Sequence, residues 1–146
     1  MKFVPVQKSE FSDVFAVVKQ GLFEHVDSVF GWDDDYQLQR LKSEYDLSWF
    51  QWVYSNSQKV GLICFKPYDD AYHIHLLLVF PEYRQQMYGK AAMIKVQDFA
   101  FKENCKRITL SSFSRNSAAL SFYKQLGYEV VESEKDFVSL SLELAL

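Results

Sequence analysis

Residues 72–90 read YHIHLLLVFPEYRQQMYGK, and the fold turns on the change of period inside them. Tyr72 to Phe80 reads as a strand, and its unbroken Leu76-Leu77-Leu78-Val79 segment predicts burial on both faces and a central place in the sheet. After Pro81 a polar loop reaches Gly89. From there Ala92, Val96, Phe99 and Ala100 follow a helical stripe to about Asn104.

Upstream, Phe3, Val4 and Val6 suggest a first strand, and a helix starting near Ser9 aligns Phe11, Val14, Phe15, Val18 and Leu22. Gly31 and Trp32 interrupt it, and Asp33-Asp34-Asp35 opens a second helix to about Glu44, since carboxylates suit a first helical turn. Leu47–Tyr54 and Val60–Phe65, around the polar turn Ser55 to Lys59, predict a hairpin, with another turn at Pro67-Tyr68-Asp69-Asp70. Downstream come a strand at Arg107–Ser112 and a helix from Ser114 or Asn116, closed by Gly127 as a left-handed cap. Two strands follow, the last alternating Val138, Leu140, Leu142 and Leu144 with polar residues. This order predicts an α/β fold with helices covering a mixed sheet.

The 146 residues suit one domain, 1–146; 49% are hydrophobic and 24% charged, so disorder and coiled coil are poor readings. Aromatics at 17% leave a ring-rich core or a ring-lined cleft open. The net charge of −3 argues against a nucleic-acid partner. Neither a signal peptide nor a membrane span is legible, which points to a soluble, cytoplasmic protein without a membrane partner. Cys64 and Cys105 lack metal-site or redox spacing; both read as buried thiols, and no metal is expected.

The chemistry concentrates at two places. Arg84-Gln85-Gln86-Met87-Tyr88-Gly89-Lys90 lies where a strand gives way to a helix, so free amides and a positive dipole end converge as they would on a diphosphate. Asn116 and Tyr123 are two helical turns apart, about 10.5 Å along the axis, so one face presents a polar anchor and a phenol.

At these residues the chain resembles the GNAT acetyltransferase superfamily. Its pattern is Gln/Arg-x-x-Gly-x-Gly/Ala after a central strand, then Asn-x-x-Ala-x-x-x-Tyr on the helix after the next strand. Arg84, Gly89, Asn116, Ala119 and Tyr123 match in type and order, whereas Met87 stands where the family usually has its first glycine. A side chain there is expected to crowd the diphosphate or resist a glycine's backbone angles. Gly31, Trp32, Asp33 and Gln37 add a local likeness to members with a Gly-Trp-Asp segment.

The resemblance implies a GNAT-like, mostly antiparallel mixed sheet with a central splay and helices on both faces. It implies acetyl transfer from acetyl-CoA to a primary amine, on a small molecule or a protein, by direct attack in a ternary complex. The pantetheine arm would pair with the backbone of Leu77 and Val79. Arg84, Gln85, Gln86, Met87, Tyr88, Gly89 and Lys90 would hold the diphosphate, and Asn116 the pantetheine. Tyr123 would face the sulfur; a phenol of pKa about 10 is protonated at neutral pH and can donate to the departing thiolate.

The amine must also lose a proton. His73, on the same strand face as His75, aligns with the position of a glutamate base in some members; His25 and Glu24 are weaker alternatives. Trp32 and Asp33, with Asp34 and Asp35, can form an aromatic, anionic mouth for a cationic acceptor, or only cap a helix. A homodimer is compatible with the resemblance. The runner-up is a GNAT-like module that binds acyl-CoA or a protein without catalysis, a reading that Met87 favours.

Overall fold

The computed structural model describes residues 1–144. Its elements in chain order are β1 (Lys2–Pro5), α1 (Phe11–Phe30), α2 (Asp34–Glu44), β2 (Phe50–Ser55), β3 (Gln58–Tyr68) and β4 (Ala71–Val79), followed by α3 (Tyr88–Lys102), β5 (Arg107–Phe113), α4 (Ser117–Gln125), β6 (Glu129–Ser133) and β7 (Phe137–Glu143). Strands hydrogen-bond in the order β1-β2-β3-β4-β5-β7-β6, which makes β4 the central strand. β4 and β5 run parallel, as their helical crossover requires. The β1–β2, β2–β3, β5–β7 and β6–β7 pairs are antiparallel, so the sheet is mixed and mostly antiparallel, as expected.

The chain forms two compact units, the first made of Met1–Cys64 and Leu76–Tyr88. Its core gathers Val6, Val14, Leu41, Phe50, Trp52, Leu62 and Cys64, with Phe11, Phe15, Leu76 and Phe80 packed against it. Asp33 caps α2 as its sequence predicts, accepting from the Tyr36 amide at 2.8 Å. Leu47–Trp49, expected in a strand, is instead a 3-10 turn. Asp46 wins locally: its Oδ1 accepts from the Ser48 amide at 2.9 Å, offering the backbone a partner outside any ladder. Two glycines seat Leu78. A Cβ on Gly61 would come within 2.3 Å of the Leu78 carbonyl oxygen, and one on Gly21 within 2.4 Å of Leu78 Cδ2.

The second unit contains Phe65–His75 and the chain from Gly89 onward. Ala92, Met93, Val96 and Ala100 of α3 are buried, as are Ile108, Leu110 and Leu140. Phe99, expected in that stripe, is 38% exposed; Met93, beside Ala92, is fully buried in its stead, so the buried face is rotated toward Met93. The strand β3 also runs through Pro67 and Tyr68, and the turn falls at Asp69, whose φ of 55° is one that Asp tolerates. Cys64 is buried, but Cys105 is only half-buried because it follows left-handed Asn104 just beyond α3.

The expected double burial fails at Leu76, Leu77, Leu78 and Val79, which are half-buried. The β4–β5 ladder spans only Ala71–Ile74 against Arg107–Leu110, and this apolar run lies past its end.

Candidate active site

The loop after β4 is shaped by backbone strain. Gln85 and Met87 hold φ of 61° and 68°, with Gln86 between them outside the left-handed region. Each left-handed residue with a Cβ costs about 1–2 kcal/mol. Alternation of this kind turns successive N–H groups toward one side and forms an anion-sized concavity. The helix α3 begins at Tyr88, so Gly89 and Lys90, expected at the end of the loop, lie in its first turn. The first four amides of a helix have no partner within it, and they carry the positive end of its dipole. Met87 therefore adopts the angle it was expected to resist, and its side chain is 66% exposed.

Side chains brace the same segment. Arg84 Nε donates to the Val79 carbonyl at 3.1 Å, and Gln86 Nε2 to the Glu82 carbonyl at 3.3 Å. The Tyr83 and Tyr88 rings meet edge to face at 6.1 Å. Of the two β4 positions marked for pairing with a pantetheine arm, Leu77 and Val79, the second already gives its carbonyl to Arg84.

Also in the first unit, Trp32 meets Phe23 in a tilted contact at 5.4 Å and donates from Nε1 to Asp34 at 2.6 Å. Lys19 Nζ lies 2.8 Å from the same Asp34 oxygen. The Lys19 contact, then the Trp32 bond, holds the Asp34 carboxyl below its ordinary range. Asp33 caps α2, whereas the Asp34 carboxylate ties Trp32 and Lys19 together.

In the second unit His73 Nδ1 lies 2.8 Å from Thr109 Oγ1, its register partner on β5. The His73 and His75 rings are 4.7 Å apart, on one face as their spacing predicts. Burial, then the charge of Lys66, pulls the His73 pKa below its usual value; His75 is pulled down to about 4 by burial, then by His73 and Lys66. Both rings are neutral at pH 7.

Asn116 is the N-cap of α4, its Oδ1 accepting from the Ala119 amide at 3.1 Å. Two turns on, Tyr123 is buried against Tyr128, ring centroids 5.7 Å apart. The end of the helix makes that contact. Gly127, at φ 100°, donates its N–H to Lys124 O, and Tyr128 donates to Tyr123 O, the paired bonds of a left-handed helix stop. Burial, with a smaller contribution from Tyr128, raises the Tyr123 pKa, so its hydroxyl is firmly protonated. Tyr128 accepts from Gln97 Nε2 at 3.0 Å and is pushed up to about 12 by burial. Sequence reasoning missed Tyr128 and Gln97; the signal for Tyr128 was its place directly after the cap glycine.

Among the described residues, no group of three or more His, Cys, Asp or Glu is placed to hold a metal ion, and no helix is long and apolar enough to cross a membrane.

The family model of the acetyltransferase (GNAT) family matches residues 18–128. Among curated proteins none matches the chain. Solved structures share its fold at low identity. PaiA N-acetyltransferase from Thermoplasma acidophilum, in complex with coenzyme A, is 16% identical at a TM-score of 0.74, covering 97% of this chain and 98% of that one. The ribosomal-protein-S18-alanine N-acetyltransferase from Escherichia coli is 14% identical at 0.71, covering 99% and 94%. Ard1 from Thermoplasma volcanium is 15% identical at 0.71, covering 99% and 98%.

Proposed function

The chain belongs to the GNAT acetyltransferase family, and from that premise we propose that it transfers an acetyl group from acetyl-CoA to a primary amine, on a small molecule or a protein. The observation that carries the reading is the loop at Gln85 and Met87, both left-handed without glycine, immediately before α3. Strain of this kind persists where the shape itself is used. An anion cradle is a use that fits it.

In this reading the amides of Gln85 to Lys90 bind the diphosphate, and Arg84 fixes the loop from Val79. The backbone of Leu77 pairs with the pantetheine arm. Asn116 keeps its Oδ1 on the helix and offers Nδ2 to that arm. Acetyl-CoA supplies the activated acetyl group as a thioester.

Tyr123 Oη donates the proton that the leaving thiolate needs. Burial raises its pKa, and the same desolvation raises the basicity of a thiolate beside it, so the transfer stays matched. His73 receives the proton of the incoming ammonium. With Nδ1–H donating to Thr109 Oγ1, the Nε2 lone pair is the basic site, and the depressed pKa keeps it vacant at neutral pH. Trp32 and Asp33 contribute to acceptor binding from the α1–α2 turn.

A module that binds acyl-CoA without turnover is the second reading; Met87, standing where the family usually has its first loop glycine, favours it. Release of free thiol from acetyl-CoA across a panel of amines separates the two. Amine-dependent release supports the transferase. A thermal shift with acetyl-CoA and no release on any amine supports the module. No shift at millimolar acetyl-CoA defeats both.

A further inference from the structure

The first unit contains a cleft of about 250 Å³ that shares no lining residue with the site above. Its walls are Phe11, Leu41, Tyr45, Leu47 and Phe50, and Lys8 and Lys42 complete its lining. Leu41 and Phe50 are buried, so the floor is part of the core cluster; both lysines are exposed. We propose that this cleft binds a small bicyclic aromatic carboxylate, its rings between Phe11, Tyr45 and Phe50 and its carboxylate between the two lysines.

The charge pattern selects the anion. Of the carboxylates on these elements, Glu10 accepts from the Gln7 amide at 2.8 Å, Glu44 is 2.5 Å from Arg40 Nε and Asp46 takes the Ser48 amide at 2.9 Å, whereas Asp13, in the first turn of α1, forms no ion pair among the described residues. Neither Lys8 nor Lys42 forms an ion pair among the described residues. Lys42 Nζ lies 5.7 Å from the centroid of the Phe11 ring, with its charge beside an apolar wall. In a chain of net charge −3, two unpaired cations on one apolar cleft are a local feature. A carboxylate there gains charge-assisted bonds.

The size and the walls select the rings. A closed apolar cavity of about 150 Å³ holds one benzene, so this volume suits two fused rings. Aromatic walls favour a flat guest with tilted or edge contacts, and Tyr45 already meets Phe50 at 5.9 Å in a tilted arrangement.

The test is shift mapping by 1H–15N NMR on the full chain, with 2-naphthoate as the probe and 2-naphthalenemethanol as its neutral counterpart. Saturable shifts at Phe11, Leu41, Leu47 and Phe50, with the acid at least about tenfold tighter than the alcohol, are expected. The Lys8→Gln/Lys42→Gln double variant brings the acid to the alcohol's affinity. Leu47→Trp fills the cleft and abolishes both, while acetyl-CoA affinity is unchanged. The exposed lysine changes leave folding intact, so they decide the matter if Leu47→Trp does not fold. Equal affinity for acid and alcohol, shifts confined to other residues, or no saturation to about 10 mM overturns the proposal.

Discussion

Replacing Met87 by glycine isolates the strain in the loop. The native φ of 68° costs a residue with a Cβ about 1–2 kcal/mol. The side chain is 66% exposed, so its removal uncovers little buried apolar surface. Against that gain stands the extra freedom of glycine in the unfolded chain, about 0.4–1 kcal/mol. The difference predicts that Met87→Gly stabilises the protein by roughly 0.5–1 kcal/mol, a rise in Tm of about 1–4 °C for a chain of this size. Urea unfolding reads it as a higher midpoint at unchanged slope. Met87→Val is the control: a β-branched residue is a genuine outlier at this angle, and the variant should lose about 1 kcal/mol. Because the backbone already stands where glycine would put it, affinity for acetyl-CoA should hold or tighten in the glycine variant. A loss of more than about 0.5 kcal/mol on Met87→Gly, or a valine variant as stable as wild type, would refute the strain argument.

Tyr123→Phe keeps the ring and removes the proton; turnover at saturating acetyl-CoA should fall at least about tenfold with stability and affinity near wild type, and an unchanged turnover where chemistry limits the rate removes Tyr123 from that role. Asn116→Ala should cost about 1 kcal/mol in urea unfolding, whereas Asn116→Ser keeps the cap; if the serine variant binds acetyl-CoA as tightly as wild type, the Asn116 Nδ2 has no part in binding. Gly61→Ala forces a Cβ onto the Leu78 backbone and should cost about 1–3 kcal/mol, more than Gly21→Ala, whose clash is with the movable end of a side chain and whose helix gains from alanine; equal losses in thermal unfolding contradict that ranking. His75 has a folded pKa of about 4, below its unfolded value, so its contribution to stability is complete above about pH 6.5 and is lost as the pH falls toward 4. His75→Gln should flatten that slope in urea titrations, and an unchanged slope places the acid sensitivity elsewhere.

The order of elements was legible because each boundary carried a local chemical signal. Asp33 caps α2 and Asn116 caps α4 through their own side chains, and Gly127 takes a positive φ. These effects act over three or four residues, the range a sequence displays directly. Burial was less legible, since it depends on partners distant in the chain. The run Leu76–Val79 has the composition of a strand covered on both sides, but its ladder to β5 stops at Ile74. Phe99 and Met93 sit on neighbouring helical faces, and hydrophobicity alone does not say which of two apolar residues turns inward. The loop was legible in kind but not in detail. Nothing in the letter Gln85 announces a left-handed backbone, and at Met87 only the resemblance to a pattern with glycine there pointed to one, because the residues that usually mark it are glycine and asparagine.

The same division explains how the chain supports the chemistry proposed for Tyr123. A phenol on a nine-residue helix would ordinarily be free to sit in solvent, with a pKa of about 10. Here the helix stop at Gly127 reverses the chain, and the N–H of Tyr128 returns to the Tyr123 carbonyl. That bond brings the Tyr128 ring to 5.7 Å from Tyr123, while Gln97 on α3 secures the Tyr128 hydroxyl from the other end. Burial of the phenol is thus partly a consequence of how the helix ends, and burial is the main cause of its raised pKa. A glycine at the end of α4 therefore contributes to the burial of the residue proposed to donate the proton. The left-handed Met87 is the complementary case, since there the chain holds a glycine's geometry without the glycine and leaves strain in the loop.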